Sequence, residues 1–458
     1  MVAAAPAGRL HPPHVGISVV NPALNALNNG VSNPIAALAA DPQAAAERLA
    51  ALPSVAGVQV AGVVDGSLDV GAAGVADAET SEPVTVGTGF RIGSITKLLT
   101  AHLVMCCVLD GRLGLDDPLT RFVPGPWDGV LVRHLLSHST GLDAGDIFVD
   151  TGNEDDAIAR YTEMLRGVGS LFSPGATFSY CNGGVILAGR LVEVVLGRTW
   201  REALREEVLD AAGMCETRFV TGVDAGHDLG TARGHAVRGG ELAALPRRID
   251  HPMCTRGLDP AGGTVVSTAA DLGRFTLAHL RTPGTDVMRT LHAPAPGGVA
   301  TMRGAGLGWM IWANAAQSSV RVGGANPGQS GLIAADPTTQ TAVVVLTNSD
   351  QGANAVNALL DAPGPAPDLK PQPAPADLSR YVGRYVSHAA TIEITTAGDG
   401  LLARADGYPD IPLTPRDRQT FDSPGGPVAF LDSHHHGSPV SLRFRMRVMT
   451  RDDTAGPR

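Results

Sequence analysis

FRIGSITKLLTAHLVMCCVLDG, residues 90–111, sets the frame for the chain. From Ser94 to about Asp110, Leu98, Leu99, His102, Leu103, Cys106 and Leu109 recur at helical spacing, and Gly111 supplies the stop. The spacing predicts a buried helix whose first turn carries Ser94 and Lys97. At i, i+3 the hydroxyl and the amine share one face, and the positive end of the helix favours an alkoxide developing on Ser94. Alone, the pattern is weak, because Ser94 as a helix cap and Lys97 as a solvated first-turn residue explain it equally well. Composition shifts the balance. Only two lysines, Lys97 and Lys370, stand among 35 Lys and Arg residues. Where a fixed positive charge suffices this sequence uses Arg, so a retained Lys points to what Arg lacks: a buried amine loses its proton near neutral pH, and a guanidinium does not. Lys370 falls in a Pro-rich spacer and is read as incidental.

Working outward, VAGVQVAGVVDGSLDVGAAGVAD (55–77) reads as two strands joined at an Asp65-Gly66 turn. Residues 1–52 read as an N-terminal extension with an Ala-rich helix over Asn33 to Leu52. Residues 131–282 read as mostly helical, with Thr199/Glu202 and Thr268/Asp271 as capping-box helix starts. Beyond Gly304, LGWMIWA, SGLIAADP and TAVVVLTNS read as strands, the last a continuous apolar run of the kind that fills a buried strand. Strands therefore open and close the unit 53–361 and helices fill the gap, which predicts an α/β sandwich: an antiparallel sheet flanked by helices, with a helical subdomain inserted. APGPAPDLKPQPAPAD (362–377) is a Pro-rich linker. Behind it, residues 378–450 alternate apolar and polar positions in short runs (YVGRYV, TIEITT, GLLARA, VAFLD, SLRFRMRVM), predicting a small C-terminal antiparallel β-barrel, with a tail over 451–458.

Apolar residues make up 44% and charged residues 17%, and the formal net charge is −10 with no basic run. Nucleic acid and anionic membranes, which need a cationic surface, are not expected as partners. No stretch reaches the roughly 20 apolar residues that span a bilayer. MVAAAPAGRLHPPHVGISVV lacks a charged region followed by a compact apolar run, so no secretory signal is read and a cytoplasmic location is expected. The five cysteines (Cys106, Cys107, Cys181, Cys215, Cys254) are odd in number, lack metal-ligand spacing and are read as free thiols. His434 to His436 are read as part of a polar loop, and no metal or cofactor is expected.

Acyl transfer from an ester or amide needs a nucleophile, a base, donors for the oxyanion and an acid for the leaving group. Tyr180-Cys181-Asn182, within FSPGATFSYCNGGVILAGRLVE, offers a phenol to relay a proton and an amide to orient the Lys or hold a substrate carbonyl; a core Tyr and a helix-capping Asn are the plain alternative. Taken with FRIGSITK, VRHLLSHSTGL (132–142), PAGGTVVSTAADLGRF (260–275) and GGANPGQSGLIAADP running into VVVLTN, the chain resembles the serine β-lactamase and penicillin-binding-protein superfamily. The likeness is to its class C, D-aminopeptidase and esterase branch, over about Val55 to Ser349. The resemblance implies a β-lactamase/transpeptidase-like sandwich, with Ser94 as nucleophile, Lys97 as base, Tyr180 as proton relay and Asn182 in support. It also implies the amides of Ser94 and of one residue after Gly323-Gly324, such as Ala325, as oxyanion donors, and structural roles for His134 and His138.

One motif departs from that family. Where it places Lys or His, a small residue and Gly on a strand lining the site, this chain has Arg321-Val322-Gly323-Gly324-Ala325-Asn326-Pro327-Gly328. Strand alternation lets only one of Arg321 and Val322 face the site. Arg321 facing inward would keep an anion clamp; Val322 facing inward would make the lining apolar and carboxylate-bearing penicillins or D-peptides poor substrates. Val322 is favoured because it keeps the Gly-Gly-x-x-Pro-Gly part without a gap. The expected function is an intracellular serine esterase or transacylase working through acyl-Ser94 on a small-molecule ester or amide, as in natural-product tailoring, with water, an amine or an alcohol as acceptor. The alternatives are a β-lactamase or D-amino-acid peptidase/amidase, and an inactive binding scaffold; the sequence does not define an oligomeric state.

Overall fold

Asp65 and Gly66 both adopt positive φ (49° and 77°), the backbone of a two-residue hairpin turn. They fold β1 (Gly57–Val64) onto β2 (Ser67–Asp77), paired from Val64↔Ser67 to Gly57↔Gly74. The computed structural model describes residues 33–452 except 222–229, 250, 296–301, 314–317, 361–376, 406–408, 425 and 432–437. In it the hairpin joins β3 (Ser318–Asn326), β4 (Gln329–Asp336) and β5 (Thr341–Thr347). The resulting antiparallel sheet has nine strands in the order Glu82–Pro83, β2, β1, β5, β4, β3, Met310–Ala313, Met302–Ala305, Ala293–Pro294. The two ends of the unit meet where β1 pairs with β5, Val58 opposite Thr347.

Both faces of the central strands β1, β4 and β5 are buried. On the inner face Ala61, Val63, Val322, Ile333, Val344 and Leu346 pack in one core with Ile95, Leu98 and Leu99. On the outer face Val58, Val60, Leu332, Ala334, Val343 and Val345 pack against the N-terminal helices and α7 (Gly352–Leu360). The sequence predicts one helix over Asn33 to Leu52; the chain forms two, α1 (Pro34–Ala40) and α2 (Pro42–Ala50). Asp41 breaks the run: its carboxylate accepts from the Ala44 N–H at 2.9 Å and Pro42 takes the first helical position of α2. These helices form the outer layer of the sandwich. Gly62 is what lets α1 lie so close, since a Cβ there would stand 2.0 Å from the Ala39 carbonyl oxygen.

The inserted segment holds α3 (Thr96–Leu109), α4 (Ala157–Leu165), α5 (Asn182–Leu196) and α6 (Ala269–Arg281). It is less purely helical than the sequence suggests. Phe90–Arg91, Val265–Ser267 and Arg218–Phe219 form a small three-stranded sheet, and His235–Arg238 pairs with Glu241–Ala244. Thr199 and Glu202 make the reciprocal capping box. Thr268 accepts from the Asp271 N–H at 3.1 Å, but the Asp271 carboxylate turns to Thr217 and to the Glu216 N–H instead of completing a box.

Eight short strands between Gly383 and Arg451 close into an antiparallel barrel. Its interior is filled by Tyr381, Tyr385, Phe421 and Phe430 in edge-on and tilted contact, with Leu401, Leu413, Leu442 and Met449. Lys370, the Pro-rich spacer through residue 376 and His434 to His436 lie outside the described residues. Among the described residues no helix is long and apolar enough to cross a membrane, and the five cysteines are free.

Candidate active site

Ser94 sits in a 3-10 turn, Gly93–Ile95, that leads into α3, one turn tighter than the helix start its sequence implies. Two partners fix this turn. The Ile92 N–H donates to the Val265 carbonyl at 3.1 Å, tying it to the small sheet. Gly324 on β3 closes against it: a Cβ there would meet the Ile92 carbonyl oxygen at 1.9 Å and the Ser94 nitrogen at 2.9 Å. Only glycine fits. Gly93, at φ 51°, in turn approaches the backbone of Ala325, with 2.8 Å between its missing Cβ and the Ala325 nitrogen. The backbones of the Ser94 turn and of Ala325 thus lie against each other, and Ser94, Gly323 and Ala325 keep solvent access.

Lys97 lies one turn on and is only 3% exposed. Its Nζ stands 2.9 Å from Ser94 Oγ and donates to the Ala261 carbonyl at 2.5 Å. Burial, with the positive charge of Arg447 nearby, lowers this amine to about 7, against the weaker opposing field of Asp146. A large share of Lys97 is therefore neutral at physiological pH and able to accept a proton.

Tyr180 completes the group. Its ring lies 5.1 Å from Lys97 Nζ, and burial pushes the phenol up to about 12, against the opposing influence of the nearby Ser94 hydroxyl, so it stays protonated where Lys97 does not. His138 stacks on the ring at 4.4 Å with 27° between planes. Its Nδ1 accepts from the Cys181 N–H at 3.1 Å and its carbonyl accepts from the Ser179 N–H at 2.8 Å. Burial drops this imidazole to about 3, which keeps it neutral, and the residue holds a left-handed φ of 54°. His134 instead caps its own helix, with Nδ1 accepting from the Leu131 N–H at 3.2 Å.

The remaining residues named from sequence divide. The Asn182 amide donates to the Gly145 carbonyl at 2.6 Å, bracing the loop that carries Asp146. Val322 enters the core beside Ile95, and Gly324, two residues on and so on the same strand face, meets the Ser94 turn. Arg321 points elsewhere: its guanidinium lies 4.7 Å from the Trp312 ring and donates to the Leu360 carbonyl at 3.4 Å. Among the described residues no three His, Cys, Asp or Glu side chains are grouped to hold a metal.

Sequence reasoning gave no role to the barrel at this site, yet its last hairpin reaches it. Between Ser441–Phe444 and Arg447–Arg451 the chain turns at Arg445, φ 56°. Met446 accepts from the Tyr180 N–H at 2.8 Å, and the Val448 N–H donates to Ser179 Oγ at 3.0 Å. Arg447 donates to the Tyr180 carbonyl, pairs with Asp146 and lies 5.1 Å from the Tyr180 ring.

The sheet and the inserted helices thus bring a buried amine against a hydroxyl at one site. The chain belongs to the β-lactamase family, whose model, described as Beta-lactamase, matches residues 43–363. It is 35% identical over 234 residues to Penicillin-binding protein 4 of Amycolatopsis lactamdurans, a match covering 49% of this chain and 60% of that relative's length. It is 32% identical over 170 residues to Esterase EstB of Burkholderia gladioli, covering 33% of this chain and 43% of that one. Among solved structures, SurE with D-Leu is similar at a TM-score of 0.74 and 28% identity, over 94% of this chain and 100% of that one.

Proposed function

We propose that the protein is a serine esterase or transacylase in which Ser94 carries the acyl group of a small-molecule ester or amide. The observation that carries this reading is the contact between Lys97 Nζ and Ser94 Oγ at 2.9 Å, with the amine held near 7 by burial. Lys97 takes the hydroxyl proton as Oγ attacks the carbonyl carbon. The oxyanion that forms is met by the Ser94 and Ala325 amides. The proton then passes through Tyr180 to the leaving group, the carbon–leaving-group bond breaks, and acyl-Ser94 remains. In the second half water, an amine or an alcohol attacks that ester: Lys97 takes the acceptor's proton, the carbonyl carbon–Oγ bond breaks, and Lys97 returns the proton to Ser94 Oγ.

Assigning the base to Lys97 and the relay to Tyr180 follows from their protonation. At neutral pH a phenol held at about 12 has a proton to give, and an amine held near 7 has room for one. Arg321, turned to Trp312 and Leu360, supports a donor that needs no strand cation to clamp a carboxylate, and hence an ester over a penicillin. A second reading, a D-amino-acid peptidase or amidase, draws support from the likeness to a structure that holds D-Leu. Natural-product tailoring is a setting compatible with either.

Intact-mass screening of simple esters, D-aminoacyl esters and amides, and nitrocefin separates these readings. The leading one expects an acyl adduct on Ser94 from esters, discharged faster when an amine or alcohol is added, and slow nitrocefin turnover. Adducts from D-aminoacyl amides alone would establish the second, and brisk nitrocefin hydrolysis would overturn both.

A further inference from the structure

A neutral primary amine has two N–H bonds and one lone pair. For Lys97 to take the Ser94 proton, its lone pair must face Oγ, and so its hydrogens need a fixed acceptor elsewhere. Ala261 provides that acceptor at 2.5 Å, through a backbone carbonyl that no Lys97 substitution can relocate. Whatever orients this carbonyl orients the base.

The carbonyl belongs to a 3-10 turn, Arg256–Ala261, followed by Gly262 at φ 111°. Asp259 lies in the middle of that turn and is fully buried. Its Oδ2 accepts from Arg201 Nε at 2.6 Å and its Oδ1 from Thr264 Oγ1 at 2.5 Å, while Arg201 Nη2 donates to the same Thr264 hydroxyl at 3.1 Å. Three side chains thus form a closed triangle bracketing Ala261, with Asp259 two residues before it and Thr264 three after. The neighbouring Pro260 carbonyl accepts from Thr100 Oγ1 at 2.8 Å, and Thr100 is three residues beyond Lys97 on α3. The turn is therefore tied both to the helix that carries the base and to Arg201, which follows the capping box at Thr199.

A buried carboxylate and guanidinium pair is a poor source of stability, since desolvation offsets most of the attraction, and apolar residues of the same volume would pack as well. What the triangle supplies that apolar packing would not is direction. We propose that Asp259 and Arg201 are positioning residues for Lys97: by fixing the Ala261 carbonyl they aim the amine lone pair at Ser94. The inference rests on the acyl-Ser94 reading and adds residues that neither touch substrate nor take part in proton transfer.

The test compares wild type with Asp259→Asn and Arg201→Lys. Each is assayed for fluorophosphonate labelling of Ser94 at pH 8.5, for kcat and KM with p-nitrophenyl acetate, and for Tm. Both variants are expected to lose about tenfold or more in the labelling rate constant and in kcat, since small misplacements of a catalytic group cost that much, with KM within about twofold. Arg201→Lys keeps the charge pair and loses the fork, so it decides the matter should Asp259→Asn not fold. Wild-type rates in folded Arg201→Lys, or losses confined to KM, overturn the proposal. Absence of Ser94 labelling in the wild type overturns the acyl-enzyme reading instead, so the two failures are distinguishable.

Discussion

The Lys97 amine stands 2.9 Å from the Ser94 hydroxyl, buried where its charged form is disfavoured. Only the neutral amine accepts a proton, so acylation of Ser94 is expected to rise with pH through about 7 and to level off above it. Fluorophosphonate labelling rates measured from pH 5.5 to 9 are expected to fall roughly tenfold per unit below the midpoint, and Tyr180, held at about 12, adds no limb in that range. A rate independent of pH would remove Lys97 from the role of base.

The same burial makes Lys97 a stability cost. Between about 7 and its ordinary 10.5 the unfolded chain binds a proton that the folded chain does not, so stability rises with pH across that window and the penalty is greatest below it. Lys97→Met removes the penalty. Urea unfolding at pH 7.5 is expected to show the variant more stable by about 1–3 kcal/mol while turnover is lost. A destabilised Lys97→Met would show that the amine is held for packing.

Gly324→Ala tests the closure of β3 on the Ser94 turn. A methyl 1.9 Å from the Ile92 carbonyl oxygen forces the strand and the Ser94 turn apart. The variant is expected to lose about 1–3 kcal/mol of stability, and acylation is expected to fall about a hundredfold as the Ser94 and Ala325 amides separate. Gly323→Ala, whose Cβ meets nothing nearer than 3.6 Å, serves as the tolerated neighbour.

A buried imidazole pair predicts acid lability. Trp309 Nε1 donates to His279 Nε2 at 3.0 Å, so neutral His279 carries its proton on Nδ1 and gives it to His102 Nδ1 at 3.1 Å. Burial lowers His102 to about 4 and His279 well below its usual value. Stability is therefore complete above the unfolded value near 6.5 and lost as pH falls toward 4, by about 2–3 kcal/mol for His102 alone between pH 7 and 4.5. Urea melts at those two pH values check this, and His102→Leu should flatten the difference; an unchanged slope would contradict it.

The sequence made some of this legible and hid the rest for physical reasons. The Asp65-Gly66 turn, the apolar run of β5 and the alternation in the barrel follow from local rules, and these elements formed as predicted. Lys97 stood out because lysine is so rare in this chain. The break at Asp41-Pro42 carried its own signal, a capping Asp before a Pro, outweighed in reading by the surrounding alanines. Ala261 gave none, because its contribution is a backbone carbonyl and any residue has one. Arg447 meets Tyr180 from 267 residues downstream, on a separate barrel, and no local pattern records that approach.

Mapping the fluorophosphonate adduct by intact mass and peptide analysis tests the central claim most directly. A single adduct is expected on the peptide bearing Ser94, absent from Ser94→Ala, whose Tm stays close to that of the wild type. Undiminished labelling of folded Ser94→Ala would contradict it.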